Sequence, residues 1–488
     1  MSEYRFPSEI RQLIRDALPA DTSLFGGVPE VKYTYLPTGH ARALNPDSML
    51  VVGIRGAGKS FWWGALQGEG YRTLIGKNKT QAGIDKNTGV SLGFGEKPSN
   101  DYPGKDVLTS LLESFDARQI WRTVIIYQLT EGVNKPPFAG TKSWNARVEW
   151  VKRNPEKVEQ LLFKIDNELE TGKKYHLVLF DALDRTADDW KSMYAFMKGL
   201  LQVLLEFRSY KRIRPKAFVR PDHLEDKSVA AFPDSSKVLS QQTELTWPLN
   251  DLYGLLWQYL ANVRDSNNIF RDGCRREFGI EWKKQDQVWT IPEPLRNDES
   301  KQREVFHAIT GPYMGSERRR GFPYTWLPNH LGDARRLVSP RSILAALRHA
   351  AGDTSKQNYQ FAIHYEGIKK GVQEASKIRV QEIQEDYPWV ESLMKRLSGL
   401  SVPCPFEDIK RRWDQYKSLE GLQEKIQSEP VKLPPSHINS GADGVREDLQ
   451  SLGLFDQLAD GRVNLPDVYR IGYGIGRRGG VRAVYRER

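Results

Sequence analysis

A short apolar run, Met49 to Val52, leads directly into Gly53-x-x-x-x-Gly58-Lys59-Ser60 and then into residues suited to a helix. Strand, glycine-rich loop and helix in that order make a P-loop. Its successive backbone N–H groups and the following helix N-terminus all point at one spot, which is an anion site. Glycines at 53, 56 and 58 permit the tight backbone path around phosphate oxygens. Lys59 supplies a positive charge for the β- and γ-phosphates of a nucleotide, and the Ser60 hydroxyl is a ligand for Mg²⁺. The expected cradle is Gly53, Gly56, Ala57, Gly58, Lys59, Ser60 and Phe61. Trp62 and Trp63, in the first turn after Ser60, are expected in the core.

A P-loop needs a carboxylate on the metal side, at the end of another buried strand. The run Tyr175-His-Leu-Val-Leu-Phe-Asp181-Ala-Leu-Asp184-Arg185 offers one. Its apolar residues are strand-like, which puts Asp181 at the carboxyl edge of a parallel sheet as the Walker B acid holding Mg²⁺. Position 182 is Ala where many ATPases carry a water-orienting Glu, so either Asp184 takes that role or hydrolysis is slow. The alternative for Asp184 is structural capping. A third strand, Lys216-Ala-Phe-Val-Arg220-Pro-Asp222, follows the helical stretch Trp190 to Phe207. Arg220 at its end is suited to sensing a γ-phosphate through its planar fork of donors, or else it pairs with Asp222.

GIRGAGKS, LVLFDALDR and KAFVRPD, followed by Leu245-Thr-Trp-Pro-Leu-Asn-Asp251-Leu-Tyr-Gly-Leu-Leu-Trp, resemble AAA+-related signal-transduction P-loop ATPases of bacteria, nearest to the STAND and KAP types. The resemblance spans roughly residues 45 to 350. It implies an α/β fold: a P-loop NTPase (ASCE/AAA+-like) parallel sheet core with a helical lid and a C-terminal winged-helix domain. It further implies ATP and Mg²⁺ as cofactors and a nucleotide-dependent switch that self-oligomerises and regulates a separate effector protein, by analogy in anti-phage defence. Lid arginines of such proteins reach the γ-phosphate. Arg341, in the first turn of a helix opened by Ser339-Pro340, is the candidate here, with Arg335 behind it; a surface salt bridge is the competing reading. Ala182 departs from the second acid common in the family, and the resemblance with this departure implies slow hydrolysis.

The expected organisation is an extension over 1–48, an ATPase core over 49–240, a helical lid over 241–355, a polar helical connector over 356–386, and a winged-helix-like unit over 387–488. In the extension, Tyr33, Tyr35 and His40 are candidates for contact with adenine, with ordinary packing favoured. The Gly-, Asn- and Lys-rich stretch from Gly76 to Gly104 is expected to be a solvated loop. Trp389 to Leu400, Phe406 to Trp413 and Val445 to Phe455 read as three helices before a hairpin-like DGRVNLPDVYRIGYGIG.

The chain has 488 residues and a net charge of +10, which permits nucleic-acid binding without demanding it. DNA contact through the basic tail, Arg470, Arg477, Arg478, Arg482, Arg486 and Arg488, is the basis of a rival reading: a DNA-acting AAA+ loader or transposition regulator. Two further clusters, Arg208/Lys211/Arg212/Arg214 and Arg318/Arg319/Arg320, are candidate sources of an arginine finger or solvated faces. Mean hydropathy is −0.58, and neither a signal peptide nor a membrane span is legible, so a cytoplasmic protein is expected. The two cysteines, Cys274 and Cys404, are isolated and read as buried small hydrophobes. No NKxD stands at a suitable strand end, which favours ATP over GTP, and no HExxH, GxSxG or zinc cluster is present.

Overall fold

Parallel strands covered on both faces read as unbroken apolar runs, because no side faces water. The computed structural model lines up five strands: β1 (Leu50–Val52), β2 (Gly89–Phe94), β3 (His176–Phe180), β4 (Ile213–Val219) and β5 (Thr243–Glu244). It describes residues 4–20, 30–78, 83–130, 138, 141–355, 359–477, 481 and 483. The order across the sheet is β2-β3-β4-β1-β5, and every neighbouring pair is parallel. β1, β3 and β4 are the expected strands. With the P-loop after β1 and the helix Lys59–Gln67 behind it, the sheet makes an α/β P-loop NTPase fold.

Two strands differ from expectation. The stretch expected as a loop between Gly76 and Gly104 contains β2, an edge strand in register with β3 from Gly89↔His176 to Leu92↔Leu179 and shifted before Phe94↔Phe180. Gly93 sits at that shift, where a Cβ would lie 2.3 Å from the Phe180 ring, so the glycine lets the strand pass the aromatic. β5 has only two residues, at the start of a segment expected to be helical. Leu245 N–H donates to Val52 O at 2.7 Å and continues the pairing.

Trp121, on the helix Ala117–Thr130, is fully buried against Phe94, Phe180 and Phe196. Its indole N–H donates to Phe196 O at 2.9 Å, which satisfies the one polar atom of a large core side chain. The 18-residue helix Trp190–Phe207 buries nine of its residues in the same core.

The chain divides into two compact units. One takes in 36–246 and holds the sheet; the other takes in 247–488 together with 1–23 and 30–35. The stretch expected as one N-terminal extension is thus shared: the helix Thr38–Leu44 goes with the sheet, and Ile10–Ala17 goes with the helical unit. In that second unit the helix Pro340–Gly352 begins as expected, with Ser339 as its N-cap residue. The 22-residue helix Tyr365–Asp386 lies within the expected connector.

Among the described residues beyond 387 the longer helices are Pro388–Met394, Phe406–Gln415, Ser418–Ser428 and Gly441–Ser451. The expected hairpin differs in detail. Val463–Asn464 pairs antiparallel with the earlier Asp456–Gln457, Asp467–Arg470 is a short helix, and Gly476–Arg477 runs parallel to Ser401–Val402. Cys274 and Cys404 are buried and unbridged, and burial pushes the Cys274 thiol up to about 12. Among the described residues no helix is long and apolar enough to cross a membrane.

Candidate functional site

The carboxyl edge of a parallel sheet collects whatever follows its strands. Val52 is in register with Val219, so the residues that follow them, Gly53 and Arg220, are neighbours, and Gly53 N–H donates to Val219 O at 3.1 Å. Asp181 follows β3, and its N–H donates to Phe94 O at 3.1 Å. Three chain segments far apart in sequence are thereby set side by side.

Gly58 caps the helix Lys59–Gln67 at φ 104°, a left-handed conformation that a side chain would strain. The turn lets Lys59 fold back over its own loop, where Nζ donates to Gly53 O at 2.8 Å and to Ile54 O at 3.0 Å. Burial pushes the Lys59 ammonium down to about 8 and the Arg220 charge adds to the shift, against Asp181, Asp184 and Asp222. Arg220, Asp181, Asp184 and Asp222 thus all act on the Lys59 charge. The Ser60 hydroxyl donates to the Asp181 carboxylate. Asp181 is 3% exposed. Burial pushes its carboxyl up, against the Ser60 bond, the Lys59 charge and the Ala182 N–H.

A hydroxyl bonded to a buried carboxylate is a hard-oxygen donor pair. It fits Mg²⁺, which takes one or two protein oxygens and fills the remaining positions with water and phosphate. The cradle residues Gly53, Gly56, Ala57, Gly58, Lys59, Ser60 and Phe61 form one continuous loop and first helical turn, with Ala57 buried. Ala182 itself adopts φ 56°, ψ 36° and starts the turn Leu183–Arg185 that carries Asp184. The residue after Asp181 is thus a short side chain held in a left-handed conformation.

Of the two readings of Arg220, the pairing with Asp222 is present in the structure. Its Nε donates to Asp222 Oδ1 at 3.2 Å and its Nη2 lies 3.1 Å from Asp222 Oδ2, a forked pair that is almost buried. The same guanidinium acts on Lys59. Next in the chain, His223 is buried beside this pair and drew no notice in the sequence, since a lone histidine after Pro-Asp carries no motif.

Other candidates are committed to packing. Tyr33 stacks on Tyr259 at 4.9 Å between centroids, and Tyr35 donates to Asp251 Oδ1 at 2.6 Å. Buried His40 accepts from Trp62 Nε1 at 3.0 Å and donates from Nε2 to Thr246 O at 3.0 Å, while burial pushes its imidazole down to about 3. All three serve as structure, and Trp62 and Trp63 are core as expected.

In the helical unit Arg341 pairs with Glu382, which also holds Arg379 at 2.9 Å. Arg335 donates to Ser451 O at 2.8 Å. The tail differs from expectation. Arg470 is 0% exposed and bonds Asp467, Ile475 O and Val481 O; Arg477 bonds Asp467 at 2.7 Å. Arg470 is therefore not a surface phosphate contact, and Arg477 is half-buried beside it. Arg478, Arg482, Arg486 and Arg488 lie outside the described residues. In the Arg208–Arg214 cluster, Lys211 pairs with Glu170, Arg214 with Asp47, and Arg208 bonds Lys237 O.

The strand order, the P-loop and the carboxylate after β3 define the molecule as a P-loop NTPase in fold. No family model matches the chain, and no curated protein matches it. Two solved structures are similar in outline. One is the ORC2 protein of Aeropyrum pernix in ADPNP–ADP complexes, at 14% identity over 93% of each chain with a TM-score of 0.30. The other is Cdc6p from Pyrobaculum aerophilum, at 11% identity over 91% of this chain and 94% of that one, with a TM-score of 0.27. At such scores the functional reading rests on the site itself.

Proposed function

We propose that the chain is an ATP-binding and ATP-hydrolysing switch of the AAA+ type, akin to the STAND and KAP ATPases its motifs resemble, whose nucleotide state governs self-association and a separate effector protein. The observation that carries the reading is the convergence of Lys59, Ser60, Asp181, Asp184 and Arg220 on one sheet edge, joined by the Ser60–Asp181 bond. In this reading the loop N–H groups and Lys59 hold the β- and γ-phosphates, Ser60 and Asp181 hold Mg²⁺, and Arg220 contacts the γ-phosphate. Mg²⁺ supplies charge neutralisation on the phosphates when bound. Asp184 orients the attacking water in place of the residue at 182, and turnover is slow because that carboxylate stands two residues further along the chain. Arg341 is a lid-side contact only if its pair with Glu382 opens.

A second reading, a DNA-acting AAA+ ATPase, is favoured by the net charge of +10 and by an exposed Arg462 at the turn of the 456–464 hairpin, after the helices named above. Deleting residues 470–488 would not test it, because buried Arg470 ties that segment together. The test is binding of labelled duplex DNA over a salt series, with and without ATP and Mg²⁺, for the wild type and Arg462→Ser. The switch reading expects no ATP-dependent binding. Binding that needs ATP, weakens steeply with salt and falls in Arg462→Ser establishes the DNA reading instead.

A further inference from the structure

The loop between the helices Glu299–Thr310 and Pro323–Asn329 is closed at its base, where Met314 N–H donates to Gly321 O at 2.9 Å. Its tip is the turn Arg318–Arg320, three successive arginines that are all exposed. Tyr313 and Phe322 flank the base with ring centroids 5.7 Å apart, and the Arg318 guanidinium lies 5.9 Å over the Phe322 ring. The segment ahead of the helix Tyr365–Asp386 runs beside this loop, where Ile363 N–H donates to Ile309 O at 3.0 Å. Gly311, at φ 83°, permits the approach, since a Cβ there would lie 2.8 Å from the Tyr359 hydroxyl and 3.0 Å from the Phe361 ring. Tyr359 and Phe361 are 5.7 Å apart, and the guanidinium of exposed Arg5 lies 5.0 Å over Phe361. Two ring pairs, each with an arginine over one ring, thus meet around Gly311, and all four rings are only partly buried.

Positive charge is in surplus on these segments. Glu317 is taken by Arg319 at 2.7 Å, Asp353 by Lys370 at 3.1 Å and Glu366 by Lys369 at 2.8 Å. Arg5, Arg318 and Arg320 have no carboxylate partner among the described residues. A ligand that answers both features carries negative charges at short intervals and planar π faces between them. A single strand of nucleic acid has that makeup: its bases stack on aromatic rings and guanidinium planes, and its phosphates meet the arginines. A duplex keeps its base faces inside the stack and offers a protein only their edges. An acidic peptide has the charge without the bases.

We propose that this face of the helical unit binds a single strand of nucleic acid, with bases stacked on the Tyr313–Phe322 and Tyr359–Phe361 pairs and phosphates held by Arg318, Arg320 and Arg5. The binding surface is built without any residue of the P-loop or of the strands beside it, and it does not depend on the ATP reading.

The test titrates the full chain, without nucleotide, into labelled oligothymidylate and oligouridylate of about 20 nucleotides and into a DNA duplex of the same length, each over a salt series. Leaving ATP out separates the result from the ATP-dependent duplex binding described above. Tyr313→Leu keeps an apolar side chain without a stacking face, and Phe322→Leu repeats the measurement from the other ring of the pair. Arg318→Ser combined with Arg320→Ser removes two exposed charges. The wild type is expected to bind a single strand more tightly than the duplex, and preference for the DNA or the RNA strand identifies which of the two it takes. Each leucine variant should weaken binding about tenfold, the worth of one stacked base, with the salt dependence unchanged. The double arginine variant should weaken binding and lower the slope against log salt by about 1.4, as two lost phosphate contacts require. No single-strand binding by the wild type at low salt overturns the proposal, as does tighter binding of the duplex. So does wild-type affinity in the folded leucine variants, because a loss confined to the arginine variant marks a bare charge patch.

Discussion

Lys59→Ala is expected to lower the affinity for ATP with Mg²⁺ by about 100-fold, the upper range for loss of a charge-assisted contact to two phosphates. The loop holds Lys59 in readiness: its Nζ is parked on the carbonyls of Gly53 and Ile54, and Asp181, Asp184 and Asp222 stabilise its charge against burial. These carbonyl bonds are the ones a triphosphate replaces, so the gain on binding is large and the cost to the empty fold small. Calorimetric titration of both proteins, with circular dichroism to show an unchanged fold, checks this. An affinity within about threefold of wild type would contradict the assignment of the loop, since loss of a charge-assisted bond exceeds that.

Lys216→Ala is expected to cost about 3–5 kcal/mol of stability, among the largest effects a single substitution produces here. Lys216 lies in β4, fully buried, and its Nζ donates to Ala43 O at 2.8 Å, to Asn45 O at 2.9 Å and to Ser48 O. It thereby caps the C-terminal end of the helix Thr38–Leu44 and fastens it to the approach of β1. Alanine leaves a cavity the length of the side chain and three buried carbonyls without this donor. The effect also has a pH signature. Burial pushes the ammonium from its ordinary 10.5 down to about 7, so between those values the unfolded chain binds a proton that the folded chain has given up, and the neutral amine then donates to two of the three carbonyls rather than all of them. Stability from this group therefore rises with pH across that window, by roughly 1 kcal/mol per unit at most, and the variant lacks the rise. Urea unfolding of both proteins at pH 7 and pH 9 should show the gap widening at the higher pH. A gap that narrows would mean the lysine stays charged in the fold.

The P-loop was legible because it is contiguous: every residue that shapes it lies between Val52 and Phe61. Asp181 and Arg220 were legible because buried parallel strands betray themselves as apolar runs whose last residue marks the sheet edge. β2 was not, since Gly89-Val-Ser-Leu-Gly-Phe94 reads as loop composition, and its glycines answer to side chains far along the chain, Gly89 to His176 and Gly93 to Phe180. β5 is two residues long and leaves no periodicity to detect. Partners distant in sequence account for the remaining differences. Arg470 read as tail charge, although Asp467 three residues earlier and the carbonyls of Ile475 and Val481 enclose it. Glu382, which occupies Arg341, lies 41 residues away.

The central claim is that the Ser60–Asp181 pair and the loop beside it form a magnesium-dependent ATP-hydrolysing site. The most direct measurement is phosphate release from ATP by the full chain, with Mg²⁺, for the wild type and Asp181→Asn, alongside the binding affinity of each. The account predicts slow release by the wild type, a loss of about 10²-fold or more in the variant, and ATP binding retained in both, because the carboxylate serves the metal in the reacting state rather than the resting grip on phosphates. Release at the same rate by both proteins, or no binding of ATP by the wild type, would contradict it.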